Sequence, residues 1–211
     1  MSKETLSNVR QALLHEQPEL VHKISLFRET FIKRLLQSQG VPDGESTIAA
    51  SEAFAAFISH RHEVSLFADA KSVLTYLRQR YQIGALTNGN ADVRKTKIGE
   101  HFDFAWRAEE FGVSKPDPTF FHAAFAQAGV TPEEVLHIGD CHHNDVDGAV
   151  AAGARAIWLK PEGGVSDIAS EVIPSLSDLP SAIERVVGYR GCTLSLIHIS
   201  EPTRQAEISY A

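Results

Sequence analysis

The hydrophobic pattern of the chain changes at about residue 67. Before it, apolar residues recur every three or four positions, which is the spacing of amphipathic helices. Three such runs cover residues 6–14, 20–36 and 48–58. Gly40 and Pro42 end the second run, since a glycine followed by a proline stops a helix. We predict a helical module over residues 1–66, with no strand between its helices.

After residue 67, short apolar runs of strand length alternate with helical segments. The predicted strands cover residues 81–86, 102–108, 135–138 and 154–159. The predicted helices cover residues 70–80, 118–128 and 144–152. Such alternation is typical of βαβ units and a mainly parallel sheet. We therefore predict an α/β core over residues 67–190.

The charge and the cysteine content exclude several classes of protein. The 211 residues include 20 Lys+Arg and 27 Asp+Glu, so the net charge is −7, which disfavours a broad nucleic-acid or anionic-membrane surface. No apolar stretch approaches the roughly 20 residues of a membrane-spanning helix, and residues 1–10 lack a signal-peptide core. Cys141 and Cys192 are too few for a disulfide framework. We expect a cytoplasmic protein with no nucleic-acid and no membrane partner.

The end of the chain fits neither pattern. Residues 194–204 resemble the translation of a transposon-type sequencing adapter, and residues 208–211 match the translation of its continuation. The alternative is a natural C-terminal strand and tail. We interpret residues 194–211 as adapter read-through that is not native, and we leave them out of the expected fold.

Polar groups follow the predicted strands at what should be one edge of the sheet. Thr87 and Asn88, with Gly89 next to them, come directly after the first strand and would suit an oxyanion or a phosphate. Lys115 stands in a loop held by two prolines and offers a fixed positive charge. Taken alone, each feature is explained as well by an ordinary turn or by a solvated lysine.

Two carboxylates bracket a tight turn after the strand at residues 135–138. Asp140 and Asp145 supply hard oxygen ligands, which suit Mg²⁺ because this ion takes few carboxylates and keeps several waters. His142 and His143 raise the question of zinc, but adjacent side chains do not easily converge on one metal. We interpret both histidines as loop residues and predict a Mg²⁺ site at Asp140 and Asp145.

In this order, the three features resemble the motifs of the haloacid dehalogenase (HAD) superfamily of phosphohydrolases. Thr87-Asn88 is similar to the second family motif, Lys115 to the third, and Asp140 with Asp145 to the fourth. The resemblance implies a Rossmannoid parallel sheet with an inserted helical cap domain, and residues 1–66 resemble that cap. Within the family, the motifs look like the branch that contains a phosphatase of riboflavin synthesis.

The resemblance also implies a mechanism for the complete protein. A small phosphorylated metabolite would be hydrolysed through an aspartyl-phosphate, with Asp140 and Asp145 holding Mg²⁺. Thr87 and Lys115 would act as catalytic groups, and with the Asn88 backbone N–H they would bind the phosphate and offset its charge. The cap would close over the site and select the substrate.

The first family motif, Asp-x-Asp-x-Thr at the end of a central strand, has no counterpart in the chain. In the family its first Asp is the nucleophile and its second the general acid/base. We therefore expect an inactive fragment whose first, central strand is missing. That strand would lie between those ending at Thr87 and Asp140, and we expect its neighbours to have unpaired edges.

Other functions remain open at this point. The chain could be a non-catalytic phosphate- or Mg²⁺-binding pseudo-enzyme, or a dehalogenase of the same family, although Asp140 and Asp145 favour Mg²⁺-dependent phosphoryl transfer. A response-regulator receiver has its acidic pocket before the Thr and Lys, so the order of motifs argues against it. The substrate and the oligomeric state stay undetermined. No role is assigned to four basic residues of the helical module, Arg28, Arg34, His60 and Arg61.

Overall fold

Three long helices form the first part of the chain in the computed structural model, which describes residues 2–188, 195–199 and 203–204. They are α1 (Lys3–Glu16), α2 (Ile24–Ser38) and α3 (Asp43–Arg61), and a short 3₁₀ turn, Pro18–His22, joins α1 to α2. Helix α1 begins where the Ser2 hydroxyl accepts the Thr5 N–H at 3.1 Å. The three helices agree with the predicted runs, and α3 extends beyond its run at both ends. We call them the helical layer.

Eight strands follow in the described residues. They are β1 (Ser65–Leu66), β2 (Gln82–Thr87), β3 (Phe104–Arg107), β4 (Val135–Gly139), β5 (Arg155–Leu159), β6 (Glu171–Ile173), β7 (Leu196–Ile199) and β8 (Thr203–Arg204). Six of them form a parallel sheet in the order β3-β2-β7-β4-β5-β6, while β1 and β8 pair antiparallel. The parallel sheet with flanking helices confirms the predicted α/β class.

Helices cover both faces of the sheet. They are α4 (Ala70–Arg78), α5 (Ala108–Phe111), α6 (Pro118–Ala128), α7 (Gly148–Ala151) and α8 (Leu179–Gly188). Ile83 of β2 packs in a core cluster with α4 and α8, whereas Leu86 of the same strand packs with α6 on the other face. Within the described part of the chain, no helix has both the length and the apolar character needed to cross a bilayer.

The central position of the sheet is filled by a strand that the sequence analysis left out. Strand β7 pairs in parallel with both β2 and β4, and Ile197 is the partner of Ile83 on one side and of Leu136 on the other. The expectation that β2 and β4 have unpaired facing edges is therefore wrong. Two facing backbone ladders offer unpaired N–H and C=O groups, which an extended segment satisfies. We predicted that the first, central strand of the sheet would be missing. In agreement with this, no described strand from the first part of the chain occupies the central position.

The origin of residues 194–211 stays a prediction, because strand formation does not show whether a segment is native. Most of this tail, including residues 205–211, lies outside the described residues, as does Cys192. The described tail consists of residues 195–199 and 203–204.

Candidate active site

The predicted site residues meet at the edge of the sheet formed by the carboxyl ends of β2 and β4. Thr87 ends β2, and its hydroxyl oxygen accepts the Gly89 N–H at 2.9 Å. Asp140 follows directly after β4. The loop that carries Lys115 lies against this edge, because the Lys115 ammonium donates to the Leu86 carbonyl at 3.0 Å. The order of the parallel strands therefore brings together three motifs that are far apart in sequence.

Lys115 is anchored at its backbone and at its ammonium group. Its side chain is buried, and Nζ donates to Asp145 Oδ1 at 2.6 Å. The Asn88 side chain clamps the backbone of Lys115: Oδ1 accepts the Lys115 N–H and Nδ2 donates to the Lys115 carbonyl, both at 2.8 Å. We predicted a role for the Asn88 backbone N–H, and the structure gives its side chain this additional part in fixing the lysine.

Asp145 is only 2% exposed, and both of its carboxylate oxygens accept hydrogen bonds. Oδ1 accepts from Lys115 and from His137 Nε2 (3.1 Å), and Oδ2 accepts the Cys141 N–H at 3.0 Å. Burial opposes ionisation, but the His137 and Lys115 donors outweigh it and hold the pKa of Asp145 well below its ordinary range. A Cβ at Gly139 would overlap the Asp145 carboxyl group, so this packing requires glycine.

Asp140 has a different environment. The residue is exposed, and Trp158 Nε1 donates to its backbone carbonyl at 2.9 Å. Partial desolvation of the carboxyl group, followed by the charge of Asp145, raises the pKa of Asp140. A cation beside Asp140 would relieve both effects.

The donor set limits which metal could be held. Within residues 2–188 and the described tail, no cluster of three or more His, Cys, Asp or Glu side chains is arranged to hold a metal ion. A closed zinc site with four protein ligands therefore does not fit. One accessible carboxylate, Asp140, with Asp145 behind it, fits an ion such as Mg²⁺ that takes one or two carboxylates and completes its shell with water and phosphate oxygens.

His137 is a member of the site that the sequence analysis missed. It lies fully buried in β4, where burial lowers its pKa, and its ring packs edge-on against Phe121 with centroids 5.2 Å apart. Its Nε2–H orients Asp145 towards Lys115. The signal in the sequence was a single polar residue inside an otherwise apolar strand.

The acidic turn differs from the predicted helix at residues 144–152. His142–Asp147 forms a wider, π-type helical turn that leads into α7. Both histidines of this turn contact the same carboxylate: His142 Nδ1 lies 3.0 Å from Asp147 Oδ1, and His143 Nδ1 lies 3.3 Å from Oδ2. Neither histidine is involved in the contacts of Asp145 described above.

Hydrogen bonds between described residues join the helical layer to the sheet layer close to the site. The bonded pairs are Ser25 N with Glu109 Oε2 (3.1 Å), Asp92 N with His62 Nε2 (3.2 Å), and Ser114 Oγ with His22 Nδ1 (3.4 Å). We call this contact zone the seam. Because Ser114 precedes Lys115, the seam borders the candidate phosphate site.

The four unassigned basic residues make contacts within the helical layer. The guanidinium groups of Arg28 and Arg61 lie 4.7 and 6.0 Å from the centre of the Phe57 ring. Arg34 pairs with Glu16, and His60 Nδ1 lies 3.0 Å from the Ala56 carbonyl oxygen. These contacts stabilise the helical layer and assign no substrate-binding role.

The fold and the site define an α/β enzyme that gathers anion-binding groups at the carboxyl ends of parallel strands. The family described as "Hydrolase: haloacid dehalogenase-like hydrolase" matches residues 3–153. The chain belongs to this haloacid dehalogenase-like hydrolase family, as its motifs predicted.

Curated relatives and solved structures agree with this assignment. The chain is 31% identical to 5-amino-6-(5-phospho-D-ribitylamino)uracil phosphatase YigB of Escherichia coli (strain K12) over 76% of the chain and 68% of that protein. It is 35% identical to the phosphoserine phosphatase of Thermus thermophilus over 64% of the chain and 57% of that protein. A crystal structure of 2-haloacid dehalogenase from Pseudomonas syringae pv. Tomato DC3000 superposes with a TM-score of 0.84 and 36% identity, covering 88% of the chain and 82% of that structure.

Proposed function

We propose that this chain carries the phosphate-binding and Mg²⁺-binding part of a phosphatase that hydrolyses monoesters of small phosphorylated metabolites. The observation that carries the proposal is the fixed ammonium of Lys115, held by Asp145 and by the Asn88 clamp at the carboxyl edge of the sheet. A positive charge that cannot move away stabilises the charge of a transferring phosphoryl group without reorganisation.

The neighbouring residues supply the other interactions of a phosphate cradle. Thr87, the last residue of β2, offers a hydroxyl group, and Asn88, the next residue, offers a backbone N–H at the same edge as Lys115. Mg²⁺ would be held by Asp140 directly and by Asp145 through water, since both oxygens of Asp145 already accept N–H bonds. The ion would neutralise charge on the phosphoryl oxygens. The roles of these residues are proposals.

Two curated relatives support phosphoryl transfer. One is named for a phosphate ester that carries a ribityl chain, and the other for phosphoserine. We therefore propose a small phosphorylated metabolite as the substrate, with helices α1 to α3 acting as the cap that selects it. Residues 1–66 would form this cap domain, residues 67–190 an incomplete catalytic core, and residues 194–211 a segment that is not native.

The chain as given is proposed to be inactive. It contains no Asp-x-Asp-x-Thr motif, and Asp145-Val146-Asp147-Gly148 has the spacing of two carboxylates but belongs to the acidic turn. Without a carboxylate nucleophile at the central strand, no aspartyl-phosphate forms there. Phosphate binding does not require that nucleophile, so the binding of phosphate to this chain can still be measured.

A dehalogenase is the second candidate, because a solved 2-haloacid dehalogenase is 36% identical to the chain. Both substrates are anions and would suit Lys115. The exposed carboxylate of Asp140 distinguishes the two substrates. It repels the carboxylate of a haloacid, whereas the Mg²⁺ that accompanies a phosphate ester would stabilise the charge of Asp140.

The test is a binding and turnover assay on the purified full chain. We expect inorganic phosphate to bind more tightly with Mg²⁺ than without it, and we expect Asp140→Asn to remove that dependence. We expect no hydrolysis of p-nitrophenyl phosphate. Turnover that Asp140→Asn abolishes would refute the proposed inactivity. Binding of 2-chloropropionate, unaffected by Mg²⁺, in place of phosphate would favour the dehalogenase.

A further inference from the structure

A buried amide beside the candidate site forms no hydrogen bond with the described part of the chain. Asn90 is 1% exposed, and neither its Oδ1 nor its Nδ2 has a hydrogen-bond partner among the described residues. An unpaired buried donor or acceptor loses its hydrogen bonds to water without replacement, and native structures contain few of them. A ligand with matching polar groups would remove this cost.

Asn90 lies where the phosphate cradle meets the helical layer. Two residues before it, Asn88 clamps the backbone of Lys115. Two residues after it, the Asp92 N–H donates to His62 at the end of α3. Asn90 therefore stands between a residue tied to the phosphate site and a residue tied to the seam.

We propose that Asn90 recognises the organic part of the substrate through hydroxyl groups close to its phosphate. A carboxamide donates and accepts hydrogen bonds, as a hydroxyl group does, so the ligand class that fits is a polyhydroxylated phosphomonoester. An alkyl phosphate or a haloacid has no hydroxyl group to offer. A buried amide that pairs with a substrate hydroxyl discriminates against analogues that lack it.

Because Asn90 is enclosed, the ligand reaches it when the seam opens. The seam contains the hydrogen bonds at Ser25, Asp92 and Ser114, which break when the two layers separate. Closure over the bound ligand then shields its hydrogen bonds from water. This inference rests on the proposed phosphatase function and specifies its substrate class.

The first experiment compares three probes by calorimetric titration of the full chain with Mg²⁺: inorganic phosphate, ribitol 5-phosphate and n-pentyl phosphate. We expect the wild type to bind ribitol 5-phosphate about tenfold more tightly than n-pentyl phosphate. Asn90→Ala should remove this difference and leave inorganic phosphate binding unchanged. Asn8→Ala, on the exposed surface of α1, makes the same chemical change away from the site and should alter none of the three affinities.

The second experiment measures thermal unfolding without ligand, because a structural role and a recognition role predict opposite signs. Asn90→Leu keeps the approximate size and removes the unpaired polar groups, so we expect Tm to rise by about 2–4 °C. A fall in Tm, or a ribitol preference that survives in Asn90→Ala, overturns the assignment of Asn90. A wild type that binds no inorganic phosphate overturns the proposed function itself, which is a different result.

Discussion

Lys115 Nζ and Asp145 Oδ1 lie 2.6 Å apart, and both side chains are almost completely enclosed by the core. Asp145 is therefore ionised in a place where an uncompensated carboxylate would be strongly destabilising. The pair fixes the charge of the candidate phosphate site, and it makes that site part of the stability of the fold.

Removal of the lysine should consequently destabilise the protein. We expect Lys115→Met to lower the free energy of unfolding by about 3–5 kcal/mol, because it leaves Asp145 buried without its cation. Urea unfolding followed by tryptophan fluorescence measures this change. Lys33→Met is the matched control: it breaks a surface pair with Asp43 and should destabilise the protein much less. Equal losses in the two variants would contradict the buried ion pair.

Gly139 should tolerate no side chain. In Gly139→Ala the new methyl group would overlap the Asp145 carboxyl group, and we expect a loss of about 1–3 kcal/mol in the free energy of unfolding. Gly44 lies in α3 with open space around its Cα, so Gly44→Ala should stabilise the helix by about 0.5–1 kcal/mol. The two alanine variants thus have opposite expected signs in the same denaturation assay, and a stabilising Gly139→Ala would show that the acidic turn packs differently.

Glu109 should hold the start of α2 on the sheet layer. Its Oε2 accepts the Ser25 N–H, while Lys23 provides no side-chain cap for this helix. We expect Glu109→Gln to speed hydrogen exchange in the first turn of α2, because the neutral amide is a weaker acceptor and interacts less with the helix dipole.

Glu110 supplies the control for that experiment. Arg107 forms ion pairs with both Glu109 and Glu110, but Glu110 has no contact with α2 among the described contacts. Glu110→Gln should leave exchange in α2 unchanged. If both variants speed exchange equally, the effect comes from the loss of charge around Arg107 and the cap at Ser25 is not its cause.

His62 should make the seam sensitive to acid. Its Nε2 accepts the Asp92 N–H, which requires neutral imidazole, and burial together with the charge of Lys95 lowers the pKa of His62. A histidine with a lowered folded-state pKa contributes stability that is full above its unfolded pKa of about 6.5 and is lost as the pH falls below that value.

The predicted fall in stability at acid pH can be checked by measuring the free energy of unfolding at pH 5 to 7.5. Asp92 opposes the shift, whereas Arg61 and Arg107 add to it, and a partly exposed group makes the effect less than about 1 kcal/mol. His62→Gln should flatten the decline in stability below pH 6.5, while His60→Gln, on the exposed face of the same helix, should leave it as in the wild type. A decline that is identical in His62→Gln would show that other histidines cause it.

The central strand should depend on its backbone donors. Ile197→Pro removes an N–H in a strand that is paired on both sides, and we expect a loss of at least about 3 kcal/mol. Thr203→Pro changes the short β8, which among the described strands pairs with β1 alone, and should cost much less. If Ile197→Pro is as stable as the wild type, the strand is dispensable, as expected for a segment that is not native.

The sequence predicted the fold where local patterns decide the structure. Helix α6 begins and ends at the predicted residues because Pro118 stands in its first turn, Asp117 caps it and Gly129 follows it with a φ of 71°. The alternation of apolar runs with helices was enough to predict a parallel sheet. The acidic turn was less predictable, because its wider π-type turn depends on Asp145 reaching back to the Cys141 N–H.

Parts of the site that depend on distant contacts could not be predicted from sequence. In the sequence, His137 is a single polar residue within an apolar strand. The fold places Asp145 3.1 Å from its ring nitrogen, and this contact gives His137 its part in the site. The Asn88 clamp on Lys115 joins residues 27 positions apart. The partners of β7 were missed because residues 194–211 were left out of the expected fold. Local periodicity could not correct this, since pairing between distant strands depends on which backbone edges remain available.

The position of β7 also sets the order in which the given chain, with residues 194–211 included, can fold. Its residues leave the ribosome after those of β2 and β4, yet both of these strands pair with them. Until the residues of β7 emerge, the two halves of the sheet have no strand between them, so the six-stranded sheet forms late in synthesis. During that interval each nascent chain exposes two strand edges that can pair with another molecule, and such edges promote aggregation. When the given chain is expressed, its yield should therefore depend on translation rate and on chaperones that bind extended apolar segments.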